Sequence, residues 1–437
     1  MEPTTHRNLV VVGSGFAGVW AALSAARERR ALGLDDRIAI RVISPQRYLG
    51  IRPRFYEAEL AGTTVELASL FAPVGVEHVR DRVIGIDPAR RALALGGQTV
   101  RYDALVWAAG SAMVRPALPG AERLHSVDTF GEATALDRHL RGLAADPAAD
   151  TAAATAIVVG AGFTGLEAAT ELVGRLRRLF GDRASRVVLV ERTEHAGPEF
   201  GPRARAVIGS ALAELGVEVR TGTTVAEVDT GVVTLTTGES IAARTVVWTA
   251  GVQASSTTRE IGPAADPLGR LAVDATLRVA GHDEIWAAGD VAHARVDGKH
   301  VAMMSCQHAL PQGKYAGHNA LRWLAGAPPL RYQQQLYVTC LDLGAWGALV
   351  TTGFARDRII AVRGDAKRFK QFINATAIYP PLDGGPRALL RAAAPPPGGR
   401  LASVVLRWVL GNRRLRERVI ARATPVTPRH PAAASAT

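Results

Sequence analysis

Residues 9–20 read LVVVGSGFAGVW, and residues 156–168 read AIVVGAGFTGLEA. In each, an apolar strand (9–12, then 156–159) runs straight into Gly-x-Gly-x-x-Gly and opens a helix. That context gives the glycines a mechanism. Gly13 and Gly160 permit the tight turn, Gly15 and Gly162 let the backbone approach a pyrophosphate, and Gly18 and Gly165 let helix and strand pack closely. The helix that follows presents unpaired N–H groups and a positive dipole end to a phosphate. Phe16 and Ala17 fill the first loop, and Phe163 and Thr164 the second. The first helix is expected over about 19–30 and the second to about 180. Second strands are expected at 38–43 and 187–190. The chain therefore carries two copies of one βαβ unit.

Two dinucleotide loops in one chain imply two different cofactors. A flavin and a nicotinamide exchange a hydride when their rings stack, which is the chemical reason to expect a flavoprotein reductase. The ribose of a bound dinucleotide needs an acidic partner at the end of the second strand. In the second unit Glu191 stands there, ending VVLVE. Its carboxylate would repel a 2′-phosphate, so NADH is favoured over NADPH, with Arg192 beside it moderating the preference. In the first unit Ser44, in RVISPQ, takes the place of the acid. A hydroxyl still bonds a ribose, less strongly than a carboxylate.

The rest of the composition bounds the class. A chain of 437 residues has room for about three units of roughly 150. With 48% hydrophobic and 21% charged residues it is a globular chain with a sizeable core, not a disordered one. Its two cysteines, Cys306 and Cys340, exclude a disulfide-dense scaffold. They also form no CxxC pair for dithiol exchange or zinc; no metal site is expected. No apolar run reaches the roughly 18 residues of a membrane span, and no leader peptide is visible at the N-terminus, so a cytoplasmic setting is expected. The net charge of +12 favours anionic partners, although an arginine-rich composition can also follow genomic base bias. The Ala/Asp/Pro stretch 142–155 reads as a surface connection.

Further motifs carry a family resemblance. YDALVWAAGS (102–111) and IWAAGDVAH (285–293) accompany the two glycine loops. Together they resemble the two-dinucleotide-binding-domain flavoproteins related to glutathione reductase. Within these the chain most resembles type II NADH dehydrogenases, single-chain NADH:quinone oxidoreductases, over about residues 8–385. The resemblance implies an α/β fold with two Rossmann-like domains, for FAD and NADH, and a smaller C-terminal domain. The expected division is 8–115 and 256–328 for FAD, 116–255 for NADH, 329–423 for an interface and membrane-association region, and 424–437 for a disordered tail.

The resemblance also assigns residues. Asp290, after Gly289, would bond the ribityl chain of FAD; a helix N-cap is the plainer reading of the same aspartate. Val83, in DRVIGID, would lie near adenine. Ala109 and Gly110 would border the flavin, and Ala250 and Gly251 the NADH. MSCQHALPQG (304–313) resembles a stretch that starts a helix facing the flavin and the quinone. It brings in Gln307, His308 and Ala309 for the flavin, and Gln307 and Gln312 for the quinone. His308 reads more as a packing histidine than as a base, and helix polarity alone would account for the glutamines. Glu167, early on the NADH-unit helix, matches a glutamate near nicotinamide and quinone; otherwise it complements the helix dipole. Lys370, in AKRFKQFIN, matches a lysine near the quinone end of the flavin, or belongs to a solvated basic face. Glu167, Gln307 and Lys370 are the catalytic candidates. Separated cysteines also occur in sulfide:quinone reductases, but those do not need the intact NADH loop present here.

Residues 400–422, RLASVVLRWVLGNRRLRERVIAR, set an apolar stripe containing Trp408 against Arg400, Arg407, Arg413, Arg414, Arg416 and Arg418. Such a basic amphipathic helix reads as an in-plane membrane anchor, or as a helix docked on the body or on a second copy in a homodimer. The expected function is transfer of a hydride from NADH to FAD and of two electrons to a quinone, on the inner face of the cell membrane. The alternatives are a soluble reductase of a protein electron carrier, and a flavin-containing nucleic-acid-binding redox sensor. No nucleic-acid motif supports the last, and no nucleic-acid partner is expected.

Overall fold

The computed structural model describes residues 6–181, 185–334 and 337–396. The first repeat forms a five-stranded parallel sheet in the order Ile285–Ala287, Ala104–Trp107, Arg7–Val12, Ile38–Ile43, Glu77–Val79. The second forms a four-stranded parallel sheet in the order Glu218–Arg220, Arg186–Val190, Thr155–Val159, Thr245–Trp248. Strands buried on both faces read as continuous Val/Ile/Leu runs, and both glycine loops follow such runs. The first helix starts three residues earlier than expected. Phe16–Ala31 and Phe163–Phe180 begin on the residue after the second glycine, because the turn itself sets the first helical residue.

The duplication reaches further than the sequence reading took it. In each unit a three-stranded antiparallel meander lies in the chain between two strands of the parallel sheet. These are Gly85–Asp87, Ala92–Ala94 and Thr99–Arg101 in the first, and Val225–Asp229, Val232–Leu235 and Ser240–Ala242 in the second. Two short strands, Ser111–Met113 and Val252–Ala254, pair antiparallel where the chain passes between the units.

The stretch 142–155 is the expected exposed connection over 146–151 and departs from it at both ends. Its first residues end the helix Phe130–Ala145, and Ala152, Ala153 and Ala154 are buried beside the strand Thr155–Val159. Small apolar residues there fill space under the second sheet.

The helix Phe16–Ala31 is buried almost all round and packs along the helix Cys306–Leu324. A side chain at Gly313 or Gly317 would run into the carbonyl oxygens of Ala17 and Ala21, so these glycines allow the close crossing. That contact carries the 306–324 helix to the end of the first glycine loop.

Beyond it lies a third unit. Two of its strands run Val338–Asp342 and Ala348–Thr352. A third, Arg358–Val362, completes an antiparallel meander. The helix Arg363–Phe372, a π-helical turn Ile373–Ala377 and the helix Gly385–Ala392 follow. The basic segment 400–422 and the tail 424–437 lie outside the described residues. Among those residues no helix is long and apolar enough to cross a membrane.

Candidate functional site

One cavity of about 1740 Å³ runs past both glycine loops. It exceeds the roughly 300–1,000 Å³ of a single-ligand pocket. Gly13, Gly15, Phe16, Ala17, Ser44, Val83, Ala109, Gly110, Gly289 and Asp290 line one part. Gly160, Gly162, Phe163, Thr164, Glu191, Ala250 and Gly251 line another. Gly18 and Gly165 stay behind the loops as packing positions, since a Cβ on either would meet the carbonyl oxygen of Gly13 or Gly160.

The loops have the features a pyrophosphate needs. Gly13 and Gly160 sit at φ +102° and +98°, a conformation side chains resist. Gly15 and Gly162 precede their helices without a side-chain cap, leaving first-turn N–H groups available to an anion. A Cβ on Gly15 would meet nothing within 4 Å, so the backbone there faces open cavity. These observations fit a dinucleotide at each loop.

Around the first loop, Ser44 Oγ lies 3.0 Å from His78 Nε2 and donates to the Gln46 carbonyl at 3.1 Å. The missing acid is thus replaced by a hydroxyl set between a histidine and a backbone carbonyl. Asp290 lies inside a one-turn 3-10 segment, Gly289–Val291, and not at the cap of a long helix. Its carboxylate accepts from the Ser111 hydroxyl at 2.7 Å and faces Arg52 at 3.6 Å; Arg52 in turn pairs with Asp128. The aspartate is therefore held in one orientation toward the cavity.

Around the second loop, Glu191 ties the turn together. Its two carboxylate oxygens accept from Ala161 N–H at 2.7 Å and Thr193 N–H at 2.9 Å. Arg192, beside it, is exposed and also lines the cavity.

Glu167 and Lys370 meet between the units. Lys370 Nζ donates to Glu167 Oε1 at 2.8 Å, and Asp342 N–H donates to the same oxygen at 3.0 Å. Both side chains line the cavity and are almost fully shielded, 5% and 6% exposed. Lys370 thus lies on no solvated face, and Glu167 does more than complement a helix dipole. Burial pushes the Glu167 carboxyl up to about 7 against the pull of Lys370. Lys370 is desolvated too, yet the adjacent Glu167 carboxylate holds its ammonium above the usual lysine range. The Tyr56 and Phe163 rings each lie 5.7 Å from Lys370 Nζ.

Four candidates divide on the 306–324 helix. Gln307 and Ala309 line the cavity, and Gln307's carbonyl accepts from Gln334 Nε2 at 3.0 Å. His308 turns away from it. Its imidazole is buried, lies 3.0 Å from Ser305 Oγ through Nδ1 and stacks on Tyr337 at 5.1 Å. Burial, with Arg356 and Arg270 near, brings it down to about 4, so it packs as a neutral ring. Gln312 is buried as well, and its Oε1 accepts from Gly289 N–H at 2.7 Å. It supports the turn before Asp290 and makes no wall for a quinone.

Sequence reading missed several lining residues: Arg52, Tyr56, Glu199, Tyr337, Cys340 and Arg356. Both cysteines reach the cavity. Burial pushes Cys306 up to about 11 and Cys340 to about 12. They remain thiols at neutral pH and are poor nucleophiles, which weighs against sulfur transfer at this site.

Residues 7–313 match the family described as pyridine nucleotide-disulphide oxidoreductase. An NADH dehydrogenase-like protein of Mycobacterium tuberculosis is 48% identical over 393 residues, taking in 89% of this chain and 98% of that one. A type II NADH:quinone oxidoreductase of Staphylococcus epidermidis is 28% identical, over 86% of this chain and 96% of that one. Among solved structures, NDH2 from Plasmodium falciparum in complex with NADH superposes with a TM-score of 0.70 at 12% identity, covering 89% of this chain and 96% of that one.

Proposed function

The chain belongs to the pyridine nucleotide-disulphide oxidoreductase family, and on that premise we propose that it passes electrons from NADH, through FAD, to a quinone. At the coarser level it is an NADH-dependent flavoprotein oxidoreductase of the NADH dehydrogenase type. The quinone is the proposed part. The observation that carries it is the buried Glu167–Lys370 pair in the wall of the cavity shared by both loops. The name of the Staphylococcus relative supports the same acceptor.

FAD supplies a ring that takes a hydride from NADH and releases two electrons to a second substrate. Gly13, Gly15, Ser44, Val83 and Asp290 would hold it; Gly160, Gly162 and Glu191 would hold NADH. The sum NADH + H⁺ + quinone → NAD⁺ + quinol draws one proton from solvent in each turnover. Glu167 holds that proton at a carboxyl oxygen. Lys370 keeps a positive charge beside the oxygen of the acceptor that becomes negative. Phe163, Tyr56 and the shielded walls exclude water, which strengthens both effects. Peripheral attachment through 400–422 belongs to the same proposal and rests on the sequence of that segment.

Steady-state NADH oxidation with menadione, ubiquinone analogues, ferricyanide and ferredoxin, compared side by side, tests the acceptor. A quinone should give the highest kcat/KM. A preference for ferredoxin would replace the quinone with a protein carrier. The donor test is independent. Wild-type enzyme should prefer NADH over NADPH by roughly 5- to 150-fold, the equivalent of about 1–3 kcal/mol of carboxylate–phosphate repulsion. Glu191→Gln should narrow the gap, although Gln also gives up one of the two oxygens that receive Ala161 and Thr193. A wild type that already favours NADPH would remove the role given to Glu191.

A further inference from the structure

The two glycine loops differ at one point. Over Gly15 the cavity is open, whereas a Cβ placed on Gly162 would lie 3.4 Å from Glu199 Oε1. A carboxylate therefore sits over the second glycine of the second loop, at the N-terminus of the helix Phe163–Phe180. That is where the backbone is shaped to receive a phosphate.

What holds the carboxylate there comes from the C-terminal unit. Arg356, in the turn between the strands Ala348–Thr352 and Arg358–Val362, pairs through Nη1 with Glu199 Oε2. Its side chain is 4% exposed, that of Glu199 44%. Nη2 donates to the Tyr337 hydroxyl at 3.0 Å, and the guanidinium lies 5.6 Å over the Phe200 ring and 5.5 Å over the Tyr337 ring. Nε is buried with no hydrogen-bond partner among the described residues. The backbone at Arg356 is left-handed, φ +50°, a strained conformation for an arginine that the surroundings must impose. The next residue, Asp357, accepts from Arg203 N–H at 2.8 Å and Ala204 N–H at 3.2 Å. It thereby fixes the turn onto the helix Pro202–Leu215 of the nucleotide unit.

We propose that Arg356 is a pyrophosphate-binding residue for NADH, delivered by the C-terminal turn, and that Glu199 stands in for the phosphate until the nucleotide arrives. The argument is one of charge. A desolvated guanidinium keeps an anion beside it, because an unpaired buried cation is costly. The pyrophosphate and the Glu199 carboxylate cannot share the loop without like-charge repulsion. The nucleotide therefore exchanges one anion for another on Arg356, and the more exposed glutamate turns out to solvent. Guanidinium suits the exchange, since its planar fork binds carboxylate and phosphate in the same geometry. This inference rests on the second loop being the NADH site.

Full-length, FAD-loaded enzyme titrated calorimetrically with ADP-ribose and with adenosine tests it. ADP-ribose contains the pyrophosphate without the nicotinamide; adenosine contains neither. Arg356→Met should weaken ADP-ribose by about ten- to a hundredfold, the loss of a charge-assisted bond, and leave adenosine binding and flavin content unchanged. Arg356→Lys should recover part of the loss. Glu199→Gln should tighten ADP-ribose and lower the Tm of nucleotide-free enzyme, so that the Tm rise on adding ADP-ribose is larger than in wild type. If Arg356→Met does not fold, the Glu199→Gln measurements decide. ADP-ribose affinity within about twofold of wild type in Arg356→Met, or no tightening in Glu199→Gln, overturns the proposal and leaves the nucleotide site standing. Wild-type enzyme that binds no ADP-ribose overturns both.

Discussion

Glu167→Gln should slow electron delivery to a quinone by about 10²- to 10⁴-fold, the usual contribution of a positioned proton donor, while hydride uptake from NADH changes by no more than a few-fold. The substitution keeps an oxygen that can accept from Lys370 and from Asp342 N–H, so the local structure has a replacement for each bond. What it removes is the titrating proton. The sign of the pH dependence follows from the raised carboxyl. With the group near 7, the donor form predominates below neutral pH and declines above it. The quinone half-reaction should therefore fall about tenfold per pH unit on the alkaline side, and that slope should vanish in the variant. Stopped-flow mixing with NADH alone, then with quinone after reduction, separates the two steps. Equal slowing of both would make Glu167 a nucleotide-positioning residue instead.

The residues involved in that test show what the chain discloses unaided. The glycine loops are legible because their demands are local: a left-handed turn, an open approach and a tight crossing fall within six residues of a strand end. Glu191 is legible for the same reason, being fixed by its distance along one βα unit. The Glu167–Lys370 contact joins the NADH unit to the third unit. Only the resemblance put each of them near the quinone, since no periodicity links a nucleotide-unit helix to a helix after the C-terminal meander. Arg356 and Glu199 carried no signal at all, one in a turn and one in a loop. The 306–324 helix shows a subtler limit. Successive helical residues turn by about 100°, so Gln307 can face the cavity while its neighbour His308 stacks on Tyr337 and Gln312, about 140° further round, supports Gly289. A motif gives the residues and not the phase of the helix. The first unit's antiparallel meander stayed hidden because three-residue strands have no pattern long enough to read.

The repeat itself offers the sharpest pair of substitutions, because the same change at matched positions should remove different cofactors. At Gly18 a Cβ would run into the carbonyl oxygen of Gly13; at Gly165 it would run into that of Gly160 and lie 2.7 Å from Thr249 Oγ1. Neither carbonyl is free to retreat. Gly13 N–H is bonded to Ile43 O at 2.9 Å and Gly160 N–H to Val190 O at 2.8 Å, so each turn is tied to its neighbouring strand. The helix must move outward instead, carrying its first-turn N–H groups away from the phosphate position. Overpacking of this kind costs about 1–3 kcal/mol, occasionally more. If the whole cost falls on the bound state, it weakens the cofactor by roughly 5- to 150-fold. Gly18→Ala should therefore be purified largely colourless and take up FAD only at high concentration. Gly165→Ala should remain yellow, with FAD retained through dialysis, yet need about 100-fold more NADH to bleach its flavin. The contrast carries the argument, because a general loss of stability would strip flavin from both proteins. If Gly165→Ala were the colourless variant and Gly18→Ala the one with weakened NADH, the two loops would have exchanged cofactors. Asp290 and the Glu167–Lys370 pair would then each sit beside the wrong ring.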